Sequence, residues 1–115
     1  MASNFFLVHH TFKPGMSEKW WANMKNYDDA KQKIHQENQA EAGVYCHSFM
    51  PTAKEGPMFC IWEAKEGVSD SEFQNFIDGP NAIGVHMGLD QPLNNHCQKI
   101  DHDLIGGDGP YPRRF

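Results

Sequence analysis

Histidine is the residue type with the most chemical potential here, with seven copies in 115 residues. Two of them, His9 and His10, are adjacent in Phe5-Phe-Leu-Val-His-His-Thr-Phe12, a stretch that reads as a strand. Successive side chains on a strand point to opposite faces, so the two imidazoles serve different faces. His10 shares its side with Phe6, Val8 and Phe12, and His9 shares its side with Phe5, Leu7 and Thr11. An imidazole in an apolar cleft titrates near neutrality and is tuned by burial, which suits acid–base work. His10 is the leading candidate for that role, with Tyr27 or His86 as proton partner. Trp21 and Phe76 would hold the ligand, with Phe6, Val8 and Met24 completing an apolar wall. Aromatic residues at helical spacing serve equally well as plain core.

A second constellation is His47, Glu63 and His96, on three further strand-like stretches. Two imidazoles and a carboxylate on a sheet face form a ligand set for zinc or iron. No two of these residues share the short fixed spacing of a metal motif, so hydrogen-bonded strand and rim histidines are the competing reading. No cofactor beyond such an ion is expected. Glu63, directly after Trp62, reads either as a buried carboxylate with a raised pKa or as a surface residue at a strand end.

Other chemistries lack their motifs. The sequence contains no phosphate-binding loop, GxGxxG, GxSxG or HExxH, and Gly106-Gly-Asp-Gly109 lies in a tail with no helix after it. The net charge of -5 opposes phosphate backbones and anionic lipid surfaces, so neither nucleic acid nor membrane is an expected partner. Cys46, Cys60 and Cys97 are odd in number and irregular in spacing, which reads as small buried side chains in a reducing compartment. The apolar run Phe5–Val8 is too short for a signal peptide or a membrane span, and cytoplasmic residence is the expectation.

The elements that must position these residues follow from pattern. Asn4–Phe12 is a first strand, ended by Lys13-Pro-Gly15. Ser17 reads as an N-cap of a helix on which Trp20, Met24, Tyr27 and Ile34 recur at helical spacing. Asp28 offers a point at which a second piece could be capped, and Gly43 is a natural stop. Val44–Met50 and Met58–Ala64 form a hairpin of strands around a loop rich in turn formers. Ser69-Asp-Ser-Glu72 is a capping box before Phe73, Phe76 and Ile77. Residues 81–95 read as a long connection and His96–Ile100 as a last short strand. The order βαββαβ is that of a ferredoxin-like α+β domain over residues 1–102, with a tail over 103–115 that is disordered or draped on a partner. The third strand is apolar on both faces: Met58, Cys60 and Trp62 on one, Phe59 and Ile61 on the other. One layer of helices covers one face, so a second copy of the chain is the expected cover for the other. If the face bearing Trp62 is that interface, a charge at Trp62 splits the dimer.

With this order and these doubly apolar strands the chain resembles the dimeric α+β barrel superfamily. The local resemblance lies in Phe6-Leu-Val-His-His-Thr-Phe-Lys13 and Phe73-Gln-Asn-Phe-Ile-Asp-Gly-Pro80, within a span of residues 4–102. Members include antibiotic-biosynthesis-type monooxygenases, polyketide cyclases, haem-degrading enzymes, muconolactone isomerases and stress-responsive proteins. The resemblance implies a strand order of 4-1-3-2, a homodimer with sheets packed face to face, and a cleft between sheet and helices for a small apolar or aromatic ligand. It implies a cofactor-independent monooxygenase or cyclase-like activity, with a non-enzymatic ligand-binding or stress-associated dimer as an alternative, and the strand histidines add a metal-binding protein as a further one. The cyclase-like branch carries a His-Pro-x-His turn. Here Asp78-Gly79-Pro80-Asn81-Ala82 keeps only the proline, and His86 substitutes only if its loop folds back. The haem-degrading branch needs a helical axial histidine, and the neighbours Gln36, Glu37 and Asn38 place His35 toward solvent.

Overall fold

The computed structural model describes residues 2–82 and 91–115. Among these, four strands, β1 (Asn4–Phe12), β2 (Val44–Pro51), β3 (Met58–Ala64) and β4 (Leu93–Lys99), form one antiparallel sheet in the order β2-β3-β1-β4. Three helices, α1 (Met16–Met24), α2 (Asp29–Ala42) and α3 (Asp70–Asp78), complete the chain order βααββαβ. The protein is α+β with the expected strand order, and the first helical stretch, counted as one in the expected βαββαβ order, is two helices divided where Asp28 offers a cap.

Asp28 causes the break. Its backbone is extended and its carboxylate accepts from Lys31 N at 2.9 Å, so it caps α2 instead of continuing α1. The break changes the helical phase. Ile34 is 50% exposed and does not continue the stripe of Trp20, Met24 and Tyr27. The inner side of α2 is polar, with Gln39 buried and its Oε1 accepting from Cys46 N at 3.2 Å. Ser17 is not a cap, because α1 starts at Met16 after Gly15. Gly43 ends α2 at φ 74°, a left-handed conformation that suits glycine. The capping box forms as read: Ser69 Oγ accepts from Glu72 N at 3.1 Å and Glu72 Oε1 accepts from Ser69 N at 3.1 Å. β4 begins at Leu93, three residues before the expected start, so Asn94 and Asn95 are strand residues.

The register assigns the faces. Phe6, Val8, His10 and Phe12 of β1 lie beside Trp62, Cys60 and Met58 of β3 and beside Cys97, Asn95 and Leu93 of β4. This is the helix-facing side. Phe6 stacks on Phe73 of α3 at 4.1 Å, and Trp62 meets the edges of Phe73 and Phe76 at 6.2 and 5.9 Å. Trp20 of α1 packs with Met58 and Leu93 in a second buried cluster. Trp62 is therefore a core residue beneath helices, which removes it from any sheet-to-sheet interface. The three free cysteines sit on strands of this layer, with Cys60 buried and Cys46 and Cys97 half-buried. Among the described residues no helix is long and apolar enough to cross a membrane.

The other face carries Phe5, Leu7, His9 and Thr11 beside Glu63, Ile61 and Phe59. Its Glu63 end is covered by the chain's own tail. Glu63 is 0% exposed, and its carboxylate accepts from Ser3 Oγ (2.5 Å), His47 Nε2 (2.8 Å), Arg114 N (2.8 Å) and Phe115 N (3.2 Å). Tyr111 stacks on His47 at 5.0 Å, and the Arg114 guanidinium lies 4.2 Å over the Tyr45 ring. Arg113 donates to the Ser3 carbonyl and, at 2.8 Å each, to Ser3 Oγ and His102 Nδ1. The tail, expected to be disordered or draped on a partner, is thus fastened to its own sheet. A carboxylate with four donors holds its charge more easily than a free one, which is the reason the tail closes here.

Burial alone would raise the Glu63 pKa, but the bonds from Ser3, Arg114, His47 and Phe115 outweigh it and hold the group below its ordinary value of 4.5. A depressed pKa contributes stability that is complete above the unfolded value and is lost as pH falls through the folded one. Urea midpoints should therefore fall steeply from about pH 5 down to about pH 3 in the wild type and less steeply in Glu63→Gln. Parallel pH profiles would show that this carboxylate does not hold the tail.

Candidate functional site

β1 carries His10 into the helix-facing layer between Met58 of β3 and Asn95 of β4, where it is 0% exposed. Its Nδ1–H donates to Asn95 Oδ1 at 2.5 Å. Asn95 is oriented from behind: its Nδ2 donates to Asp78 Oδ1 at 3.1 Å and to the Ile77 carbonyl at 3.4 Å, both at the end of α3. An amide whose NH2 is spent on two oxygens turns its own oxygen toward the imidazole. The proton is thereby assigned to Nδ1 and the lone pair to Nε2. Gln74 and Gln91 brace the same corner, donating to Asp78 Oδ2 (3.0 Å), the Asn95 carbonyl (3.1 Å) and the Asp78 carbonyl (2.7 Å).

His10 Nε2 is buried without a hydrogen-bond partner among the described residues, and so are Trp20 Nε1 and Trp62 Nε1 in the same layer. Orphaned buried polar atoms are rare in folded proteins. Beside His10, through its strand partner Met58, the packing is apolar: Trp20, Met58 and Leu93, flanked by Phe12, Met24 and Tyr27. Burial lowers the His10 pKa below its ordinary 6.5, the Asn95 bond opposes that shift, and neighbouring His9 adds to it. At neutral pH the ring is therefore a neutral base with an aimed lone pair. An indole N–H can only donate, so Trp20 in the same cluster as Met58, the partner of His10, complements an oxygen acceptor, while Trp62 belongs to the other core cluster beside Phe6.

The other expected site residues are placed as follows. Tyr27 is not bonded to His10. Its hydroxyl donates to His35 Nδ1 at 3.3 Å, and burial raises its pKa. His35, expected to face solvent, turns inward, and its Nε2 donates to the carbonyl of Ala82. Trp21 meets Trp20 edge-on at 4.8 Å and donates Nε1–H to the Lys54 carbonyl at 2.7 Å, pinning the β2–β3 loop to α1. Met24 flanks the Trp20 cluster. Phe6 and Val8 are fully engaged in the core. Phe76 lines a separate groove of about 500 Å³ between the end of α2 and α3, with Phe73, Val44 and Val68. His86 lies outside the described residues.

The metal set does not converge. His47 and Glu63 touch at 2.8 Å, but the Glu63 carboxylate is committed to the tail. His96 pairs with His9, four positions along β1 from the Phe5–Glu63 pair, or about 13 Å away at the usual strand rise. Among the described residues no group of three His, Cys, Asp or Glu could hold a metal ion.

A family model matches residues 5–108, nearly the whole described fold. The chain belongs to the DUF8652 family, described as a domain of unknown function. No curated protein matches it. For this DUF8652 chain, then, the case for a site rests on the geometry around His10.

Asn95 is absent from the sequence reading of the site, and His35, read there as solvent-facing, turns inward. The residue pattern places the start of the last strand at His96, so Asn95 reads as part of the connection before it. A strand begun at Leu93 would have set Asn95 opposite His10. Asn95→Ala should lower the His10 pKa further, because the lost bond is the one that raises it, and should populate both tautomers. Nitrogen-15 NMR of the imidazole would read both effects. An unchanged tautomer would mean that Asn95 does not orient the ring.

Proposed function

We propose that this chain is a ferredoxin-like member of the dimeric α+β barrel superfamily that binds a small, largely apolar or aromatic molecule beside His10. The single observation that carries this reading is the buried, Asn95-oriented imidazole whose Nε2 lone pair has no partner among the described residues. A ligand bearing a phenolic or enolic hydroxyl fits: its proton points at Nε2, and its ring lies among Trp20, Met58 and Leu93. Transfer of that proton to His10 makes an electron-rich anion, the species from which cofactor-independent oxygenation or ring closure begins. The oriented imidazole is thus suited to a monooxygenase-like or cyclase-like reaction. The alternative is a non-enzymatic ligand-binding or stress-associated dimer, which the absence of the His-Pro-x-His turn favours.

The purified chain can be screened by thermal shift against hydroxylated aromatic compounds and their methyl ethers. Hydroxylated compounds are expected to stabilise the wild type more than their ethers do, and His10→Gln should erase the difference. Equal stabilisation by both series in the wild type would sink the role of His10. Turnover lost in His10→Gln with binding retained would favour the enzyme; binding with no turnover in the wild type would favour the binding protein.

The same reading brings a homodimer formed through the part of the second sheet face that the tail leaves open. Leu7 is 38% and Met50 40% exposed there, with Ile61 and Phe59 half-buried beside them. Native mass spectrometry should give a dimer for the wild type and a folded monomer for Ile61→Lys. A monomeric wild type, or a dimer that survives Ile61→Lys, would count against the barrel.

A further inference from the structure

The second sheet face holds a pair of imidazoles that the His10 site does not use. β1 and β4 bring His9 and His96 to directly opposite positions. Ladder bonds from Ile100 N to the Phe5 carbonyl (2.8 Å) and from Lys13 N to the Pro92 carbonyl (2.9 Å) bracket them. Counting by twos along both strands from either bond makes His9–His96 a hydrogen-bonded pair, with Cα atoms about 5.5 Å apart. At that spacing two imidazoles on one face can share a point about 2 Å from a nitrogen of each, the ordinary metal–imidazole distance.

The surroundings favour a cation there. His96 Nε2–H donates to Gln98 Oε1 at 3.1 Å, which leaves the Nδ1 lone pair free. A second-shell acceptor on the other ring nitrogen is the usual companion of a metal-bound histidine. The His9 ring lies against Phe59, with centroids 5.2 Å apart, so binding requires it to change rotamer toward His96 across the pair. The flanking cross-strand pairs, Thr11–Asn94 and Leu7–Gln98, bring no lysine or arginine, and they offer amide oxygens as weak further ligands. His96 is exposed, so an ion enters without opening the core.

We propose that His9 and His96 form a two-imidazole site for a divalent transition-metal ion of the zinc, nickel and copper class. Imidazole suits these ions, and two ligands leave the remaining positions to water or to whatever covers the face. The site differs from the set His47, Glu63 and His96, which the fold keeps apart. It is also independent of His10, which lies on the opposite side of the sheet.

The test titrates nickel sulfate into the full, untagged, EDTA-stripped chain, by calorimetry and by amide NMR, where Ni²⁺ broadens nearby signals. Saturable binding of one ion per chain is expected, with broadening centred on the middle of β1 and β4. His9→Ala and His96→Ala should each abolish it. Circular dichroism checks that both variants fold, and the broadening pattern in the wild type locates the ion if either does not. Broadening centred elsewhere, binding that survives both substitutions, or no saturable binding would overturn the proposal.

Discussion

The structure depends on β1 being hydrogen-bonded along both edges and covered, at least in part, on both faces. A strand in that position cannot slip by one residue without exchanging every side chain between the faces. With β3 on one side and β4 on the other, its register fixes which of two adjacent histidines enters the helix-facing core. His10 enters it and His9 does not. The two rings thereby acquire opposite environments: one sealed among tryptophan, methionine and leucine, the other beside an exposed histidine and a phenylalanine on the outer face.

The helix-facing layer meets the cost of a buried imidazole through a relay of amides. Desolvation of the ring is offset by the Asn95 bond, and Asn95 is held by the end of α3. The orientation of one ring therefore depends on how α3 meets β4, which Gln74 and Gln91 also tie together. The Tyr27–His35–Ala82 series does the same for α2 and the segment after α3. Polar contacts fix geometry here where apolar packing is thin, as expected for a helix whose inward side carries His35 and Gln39.

The outer face follows a different logic. Glu63 sits on a strand whose neighbours are apolar, and a buried carboxylate there is costly without donors. The tail supplies two backbone amides to it, and Ser3 and His47 supply the rest. Of the two sequence readings of Glu63, a buried carboxylate with a raised pKa and a surface residue, the burial holds and the direction of the pKa is reversed: the residue is buried and its pKa is lowered. The donors that decide this come from both ends of the chain and from the neighbouring strand, Ser3 sixty positions earlier and Arg114 and Phe115 about fifty later, so no local pattern announces them.

The sequence by itself determined the four strands and their succession along the chain, the helix stop at Gly43, the capping box at Ser69, and the opposition of His9 to His10. These rest on periodicity and on capping chemistry, which act within a few residues. Asp28 was legible as a cap, but the change of phase it imposes on α2 was not, so Ile34 was read as inward and His35 as outward. Only the tertiary structure decided which face of β1 meets the helices, because both faces are apolar and alternation carries no sign. It alone decided that Asn95 orients His10, that Trp62 is core, that His96 meets His9 and not His47 with Glu63, and that the tail closes on its own sheet. Each of those outcomes joins residues far apart in the chain, and is set by register and packing.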